Sequence, residues 1–138
     1  MILKKKYLLF LLLLLALNVK AKEKENSNPH FNYSGRIEKL ADDKVILIGS
    51  AASVSFNFKG SSCSIALQSV DSWEHHNYVS LELDGEYIGR LQIKKGTLQS
   101  YPITVSTKKK MHRLTIYKAT EASNGGILFG GTTAKLTK

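Results

Sequence analysis

The stretch from Val70 to Tyr78 holds the side chains best suited to chemistry. Trp73, His76, Asn77 and Tyr78 place aromatic rings beside planar hydrogen-bonding groups. Aromatic faces cover the C–H patches of a sugar ring, and amides or imidazoles pair with its hydroxyls. These four residues are therefore predicted to bind carbohydrate. A purely structural interpretation stays open, in which Trp73 caps the core and the histidines are solvated.

The same loop offers weak support for catalysis. Asp71, Ser72 and a histidine at position 75 or 76 resemble the parts of a hydrolase, which pairs a nucleophile with a base and an orienting acid. No glycine precedes Ser72, and the segment lacks the strand–turn–helix context that exposes a nucleophile. No catalytic residue is predicted, and this chain alone is not expected to be an enzyme.

Metal and redox chemistry also lack support in the sequence. His75 and His76 are adjacent, so their side chains diverge, and no third ligand is evident nearby. Cys63 is the only cysteine, which excludes an internal disulfide, and it alternates with Ile65 and Leu67 as a core residue would. We predict no metal site, no cofactor and a domain held together by packing.

Lys118 and Glu121 lie in a polar turn between two apolar segments, Leu114–Ile116 and Ile127–Phe129. They could clamp a ligand. The favoured interpretation is an ion pair that structures the loop before Gly125, worth about 0–1 kcal/mol if it is exposed.

The N-terminus has the pattern of a secretory signal peptide. Lys4–Lys6 precede an almost unbroken apolar run of 13 residues, Tyr7–Val19, and Val19-Lys20-Ala21 places small residues where a signal peptidase requires them. The run is shorter than the roughly 20 residues that span a bilayer. Residues 1–21 are therefore predicted to be a helical signal peptide cleaved near Ala21, which leaves no stable membrane insertion. An uncleaved anchor is the alternative. The expected location is secreted or periplasmic.

The remaining chain fits one domain. Residues 22–30 are polar and form a predicted flexible leader, and residues 31–138 form the domain. Cleavage after residue 21 removes four lysines, so 16 basic residues remain against 11 acidic ones, a net charge of +5. The basic residues are scattered except at Lys108–Lys110, which is predicted to be a solvated hairpin tip. No nucleic-acid partner is expected.

Alternating strands account for the rest. Residues 52–59 and 63–67 both alternate, and Gly60-Ser61 is predicted to join them as a hairpin. Asp84-Gly85 is a type I′ hairpin signal, and Gly89 suggests a bulge in the returning strand. Pro102 favours an edge or bulged position for its strand.

The fold class follows from this pattern. About eight or nine short strands, spaced roughly ten residues apart, indicate an all-β, two-sheet antiparallel sandwich. No segment keeps a helical period. Jelly-roll and immunoglobulin-like topologies are not separated by pattern alone.

Short motifs recur in an order that resembles a known family. They are Ser34–Ile37, Gly49-Ser50, Phe56–Gly60, Asp84-Gly85, His112–Leu114 and Lys118–Glu121. Together they resemble the N-terminal domain of family 2 carbohydrate esterases, over nearly all of residues 31–138. The resemblance implies a jelly-roll β-sandwich placed before an SGNH-hydrolase domain that deacetylates plant polysaccharides such as xylan.

The chain departs from the family's catalytic pattern. It contains neither a Gly-Asp-Ser block nor an Asp-x-x-His segment, so no catalytic residue is carried over. The predicted function is an exported, non-catalytic module that binds plant cell-wall polysaccharide or supports an SGNH-type esterase domain. The alternatives are a fragment of an acetyl esterase and an adhesion or scaffold module with a protein ligand.

Overall fold

Short strands and turns build this protein, whose computed structural model describes residues 28–70, 74–105 and 108–138. The predicted signal peptide, residues 1–21, and most of the leader, residues 22–30, lie outside the described residues. The strands of the described ranges are β1 (Asn32–Ser34), β2 (Ile37–Lys39), β3 (Val45–Leu47), β4 (Ser53–Lys59), β5 (Ser62–Val70), β6 (Asn77–Leu83), β7 (Glu86–Ile93), β8 (Gln99–Thr104), β9 (Met111–Lys118), β10 (Gly126–Thr132) and β11 (Lys135–Thr137). A 3-10 turn, Ala122–Asn124, precedes β10.

The strands form two antiparallel sheets. The six-stranded sheet has the order β1-β4-β9-β6-β7, with β11 beside β1 along the same edge of β4. The five-stranded sheet has the order β2-β3-β10-β5-β8. This arrangement confirms the predicted all-β, jelly-roll-like antiparallel sandwich.

The core lies between the two sheets and is built by strand alternation. Successive side chains of a strand point to opposite faces, so every second residue enters the interior. The Phe31 ring lies edge-on against two core rings, with centroids 5.6 Å from Phe56 and 5.1 Å from Phe129. Cys63 lies on the core face as predicted. The largest fully buried apolar side chains are Phe56, Phe58, Phe129, Leu47, Ile65, Leu67, Ile93, Leu114, Ile116, Ile127 and Val54.

The predicted hairpin of residues 52–59 and 63–67 is wrong. β4 belongs to the six-stranded sheet and pairs with β1, β9 and β11, whereas β5 pairs with β8 and β10 in the other sheet. Gly60, at φ +115°, carries the chain from one sheet to the other. Apolar and polar residues alternate in both strands because both strands face the same core. This pattern does not distinguish two strands of one hairpin from two strands in opposite sheets.

The same correction applies to the three lysines Lys108–Lys110. They are exposed as predicted, but they do not form a hairpin tip, because β8 and β9 lie in different sheets. Lys108–Lys110 instead precede β9 in the connection between the two sheets.

Three local predictions are confirmed. Asp84 and Gly85 take φ values of 53° and 87° and join β6 to β7 as a hairpin. The register shifts between Leu81, opposite Gly89, and Glu82, opposite Tyr87, so the bulge lies where the glycine suggested. Pro102 lies in β8, which is an edge strand.

The Asp84 carboxylate ties the β6–β7 turn to β9. The Arg113 N–H donates to Asp84 Oδ1 at 2.9 Å, and His112 Nδ1 donates to Oδ2 at 2.8 Å. The Arg113 carbonyl in turn accepts the Asp84 N–H at 2.9 Å. The hydrogen bond from the Arg113 backbone, followed by that from His112, holds the pKa of Asp84 below its usual value. The carboxylate therefore stabilises the fold while it is ionised.

Replacing this carboxylate makes the stability less dependent on acid pH. The pKa of Asp84 is lower in the folded protein than in the unfolded chain, where it is about 3.9. The carboxylate therefore stabilises the fold fully at pH values above the unfolded pKa, and this contribution is lost as the pH falls through the folded pKa. Asp84→Asn keeps a residue that tolerates φ > 0 and is expected to lower the free energy of unfolding at pH 7 by about 1–2 kcal/mol. The difference from wild type is expected to shrink below about pH 3, as followed by urea denaturation.

Asp42→Asn is the matched control, because Asp42 is exposed and has a similar φ of 59°. It should leave the pH profile of stability unchanged. An equal loss from Asp84→Asn at pH 7 and at pH 2 would contradict the role of the carboxylate.

Candidate functional site

Two of the four predicted carbohydrate-binding residues meet on the outer face of the six-stranded sheet. His76 precedes β6 and Tyr78 lies within it, two positions apart. Gln92 of β7 contacts both of them, with 2.9 Å from its Nε2 to His76 Nδ1 and 3.3 Å from its Oε1 to the donating Tyr78 hydroxyl. The Arg90 guanidinium lies 4.4 Å from the centre of the Tyr78 ring. We call these four residues the Tyr78 cluster.

Sequence reasoning missed Gln92 and Arg90. The signal that could have found them is the Asp84-Gly85 turn, which sets the register of β6 against β7. The bulge then advances β7 by one residue, so Tyr78 lies opposite Gln92 rather than opposite Leu91. This one-residue shift decides which side chain of β7 stands beside Tyr78.

Asn77 points the other way. Its side chain is fully buried, with Nδ2 donating to Ser69 Oγ at 3.0 Å and to the Asn124 carbonyl at 2.8 Å. The Thr120 hydroxyl donates to Asn77 Oδ1 at 2.5 Å. Because neighbouring residues of a strand face opposite sides, the surface shared by His76 and Tyr78 does not include Asn77. Trp73, the fourth predicted residue, lies outside the described residues.

Lys118 is buried beside Asn77 and holds the following loop. Its Nζ donates to the carbonyls of Thr120 and Glu121, both at 2.7 Å, and to Thr120 Oγ1 at 3.2 Å. The contact to Glu121 is thus with its backbone carbonyl, and the Glu121 side chain is exposed. Burial lowers the pKa of Lys118, and the nearby charge of Glu121 opposes that shift.

The other chemically reactive groups are inert or scattered. Burial raises the pKa of the Cys63 thiol, which disfavours the nucleophilic thiolate. In residues 28–70, 74–105 and 108–138, no three His, Cys, Asp or Glu side chains converge as metal ligands. Asp71 and Ser72 lie outside the described residues. Within the described part of the chain, no helix is both long and apolar enough to cross a bilayer.

The fold defines an antiparallel, two-sheet β-sandwich module. Residues 33–138 match the family model of the carbohydrate esterase 2 N-terminal domain. The chain therefore belongs to the carbohydrate esterase 2 N-terminal family. No curated protein matches the chain.

Solved structures agree with this assignment. An active-site mutant of a family two carbohydrate esterase from Clostridium thermocellum is 25% identical, with a TM-score of 0.68 over 80% of this chain and 33% of that one. The acetyl xylan esterase Est2A from the rumen bacterium Butyrivibrio proteoclasticus is also 25% identical, with a TM-score of 0.67 over 80% of this chain and 30% of that one. The chain spans about a third of the length of these enzymes.

A carbohydrate-binding module shares the fold over its whole length. The family 36 module solved with calcium and xylotriose has a TM-score of 0.59 at 15% identity, covering 78% of this chain and 93% of that one. At this identity the likeness concerns the fold alone.

The buried ammonium of Lys118 generates a stability prediction. Lys118→Met fills similar volume but leaves the Thr120 and Glu121 carbonyls without their donor, so we expect a loss of about 1–3 kcal/mol in the free energy of unfolding. Because the folded pKa is lowered, wild type gains stability as pH rises through the folded pKa towards the unfolded value near 10.4. The variant lacks this gain, so its deficit should widen at alkaline pH, as measured by urea denaturation.

Lys108→Met serves as the control, since Lys108 is exposed. It should unfold like wild type at every pH. A Lys118→Met protein as stable as wild type would show that the two carbonyls find other donors and that the ammonium does not hold the loop.

Proposed function

We propose that the chain is an exported, non-catalytic β-sandwich module that binds carbohydrate beside an esterase domain. Membership of the carbohydrate esterase 2 N-terminal family supports the esterase context. The sequence contains neither a Gly-Asp-Ser block nor an Asp-x-x-His segment, which supports a non-catalytic role. The single observation that carries carbohydrate binding is the Tyr78 cluster.

The chemistry of this cluster suits a sugar. Tyr78 supplies a half-buried aromatic ring with a hydroxyl at its tip, and Gln92, His76 and Arg90 supply planar polar groups around it. Planar polar groups form hydrogen bonds with neighbouring hydroxyls of a sugar, while an aromatic ring packs against the C–H groups of the sugar ring. Trp73, which lies outside the described residues, is proposed as a further carbohydrate-binding residue because of its large aromatic ring.

Export rests on the first 21 residues. A basic start, an almost unbroken apolar run of 13 residues and the small residues Val19 and Ala21 match the requirements of a signal peptide. Residues 22–30 would then form a flexible leader, and a secreted or periplasmic location would bring the domain to polysaccharide. The domain proposed to follow is residues 31–138.

Carbohydrate binding is tested by retention on acetylated or plain xylan in native affinity electrophoresis. Tyr78→Ala, His76→Ala and Trp73→Ala are each expected to weaken retention roughly five- to tenfold, about 1–1.4 kcal/mol. His75→Ala is the matched control, because His75 is the exposed neighbour of His76 and is not part of the Tyr78 cluster.

Thermal unfolding of each variant is measured to check that the fold is retained. Equal retention of wild type and all three variants would contradict a binding site at this surface. If no polysaccharide retards the protein and a protein is captured instead, the adhesion or scaffold alternative is favoured.

A second surface favours contact with an esterase domain. Edge strands β7 and β8 flank an apolar cleft of about 370 Å³, and Ile88 in the β7 bulge is 44% exposed beside it. Its apolar lining comprises Leu81, Leu83, Ile88, Leu91, Pro102 and Ile103. Leu81, Leu83 and Ile103 are buried, whereas Ile88 and Pro102 are exposed. Exposed apolar residues beside a cleft favour contact with a partner. We infer that an esterase domain, in the same chain or another, covers this cleft.

Docking at the cleft is tested by calorimetry with the catalytic domain of a family 2 esterase. Ile88→Ser should weaken binding about tenfold by removing apolar contact at the centre of the patch. Val70→Ser, at an exposed apolar residue outside the cleft, should not. No binding by wild type, or equal loss from both variants, would contradict the assignment of the cleft.

A further inference from the structure

A polar groove of about 380 Å³ runs over the outer face of the six-stranded sheet, away from the core. Its floor consists of Ser53, Ser55 and Thr115. All three alternate with core residues and so face outward, yet each is less than a tenth exposed. Side chains on the outer face of a sheet are buried to this degree only where longer side chains surround them. The floor is therefore a depression lined by hydroxyl groups.

The walls of the groove carry charge and an aromatic ring. Ser55, Thr115 and Glu82 form one row across β4, β9 and β6. Arg113 Nη2 donates to Ser55 Oγ at 3.1 Å, and the Tyr117 hydroxyl donates to Glu82 Oε2 at 3.5 Å. Arg113 is exposed, so the guanidinium presents its remaining N–H donors to whatever enters the groove.

The charge of this face is strongly one-sided. Glu82 is the only acidic residue among the described strand residues that point outward from this sheet. The same face carries four basic residues, Lys59, Arg90, Arg113 and Lys135. A cluster of one sign attracts ligands of the other sign and strengthens their binding within about a Debye length. An anionic ligand is therefore favoured over a neutral one.

We propose that this groove binds the carboxylate-bearing sugar units of an acidic polysaccharide, a polyuronate. Arg113 pairs with the carboxylate, because a guanidinium fork matches two carboxylate oxygens. The hydroxyl groups of Ser53, Ser55 and Thr115 meet the sugar hydroxyls, and the volume falls in the range of small-ligand sites. This inference rests on the proposed carbohydrate binding and names a ligand class for a surface separate from the Tyr78 cluster.

Two polymers with the same backbone test the proposal. The probes are polygalacturonate and its carboxyl-reduced, neutral form, with affinity measured by calorimetry at low and at physiological ionic strength. Wild type is expected to prefer the acidic polymer, and Arg113→Gln to lose roughly tenfold in affinity for it. Glu82→Gln should have the opposite effect and bind the acidic polymer more tightly, because it removes the one repulsive carboxylate. Affinity for the neutral polymer should not change in either variant.

Arg36→Gln is the matched control, since Arg36 is an exposed arginine that does not line the groove. It makes the same change in net charge as Arg113→Gln. An equal loss from both arginine variants would show diffuse attraction and overturn the groove as the site. Glu82→Gln retains the acceptor oxygen and tests the site even if Arg113→Gln unfolds.

The outcomes separate this inference from the proposed function. Equal affinity for the acidic and the neutral polymer, with losses only in Tyr78→Ala, would overturn the groove and leave carbohydrate binding standing. Binding of the acidic polymer that depends on Arg113 but not on Tyr78 would support the groove and overturn the Tyr78 cluster as the site. No binding of either polymer or of xylan would overturn both.

Discussion

Burial of apolar surface between the two sheets is the interaction on which the rest of the structure depends. With one cysteine and no possible internal disulfide, the domain relies on packing for its stability. Phe56 of one sheet and Phe129 of the other are fully buried, and Phe31 packs edge-on against both. A domain of this size removes about two-thirds of its unfolded surface from water, which suffices without covalent links. One face of each strand must therefore be buried in the core.

The two ends of the sandwich are closed by polar contacts rather than by packing. At one end of β6 the Asp84 carboxylate accepts hydrogen bonds from β9, and at the other end Asn77 and Lys118 hold the loop that leads to β10. The buried polar side chains of Asn77 and Lys118 are tolerated because both have hydrogen-bond partners. These contacts orient the loops, and the Asn77 contacts anchor the start of β6, from which Tyr78 points outward.

Strand alternation places core residues and outer-face residues on opposite sides of the same strands. Inward residues of β4, β6 and β9 make the core, and outward residues of the same strands make the Tyr78 cluster and the hydroxyl-lined groove. Substitutions on the outer face are therefore expected to leave the packed interior unchanged. The same division suits a module of the carbohydrate esterase 2 N-terminal family, in which the sandwich is joined to other protein.

Sequence patterns alone predicted which alternating apolar residues face the core, the turn at Asp84-Gly85, the bulge at Gly89 and the edge position of Pro102. They did not predict that Asn77 and Lys118 are buried. Only the tertiary structure decided which strands lie side by side, so the expected β4–β5 hairpin became a crossing between sheets. It also set Gln92 beside Tyr78 and gave Lys118 carbonyl partners. Alternation along a strand indicates only the direction in which each side chain points. Backbone hydrogen bonds form equally well with any neighbouring strand, so the pairing of strands depends on packing between segments that are distant in sequence.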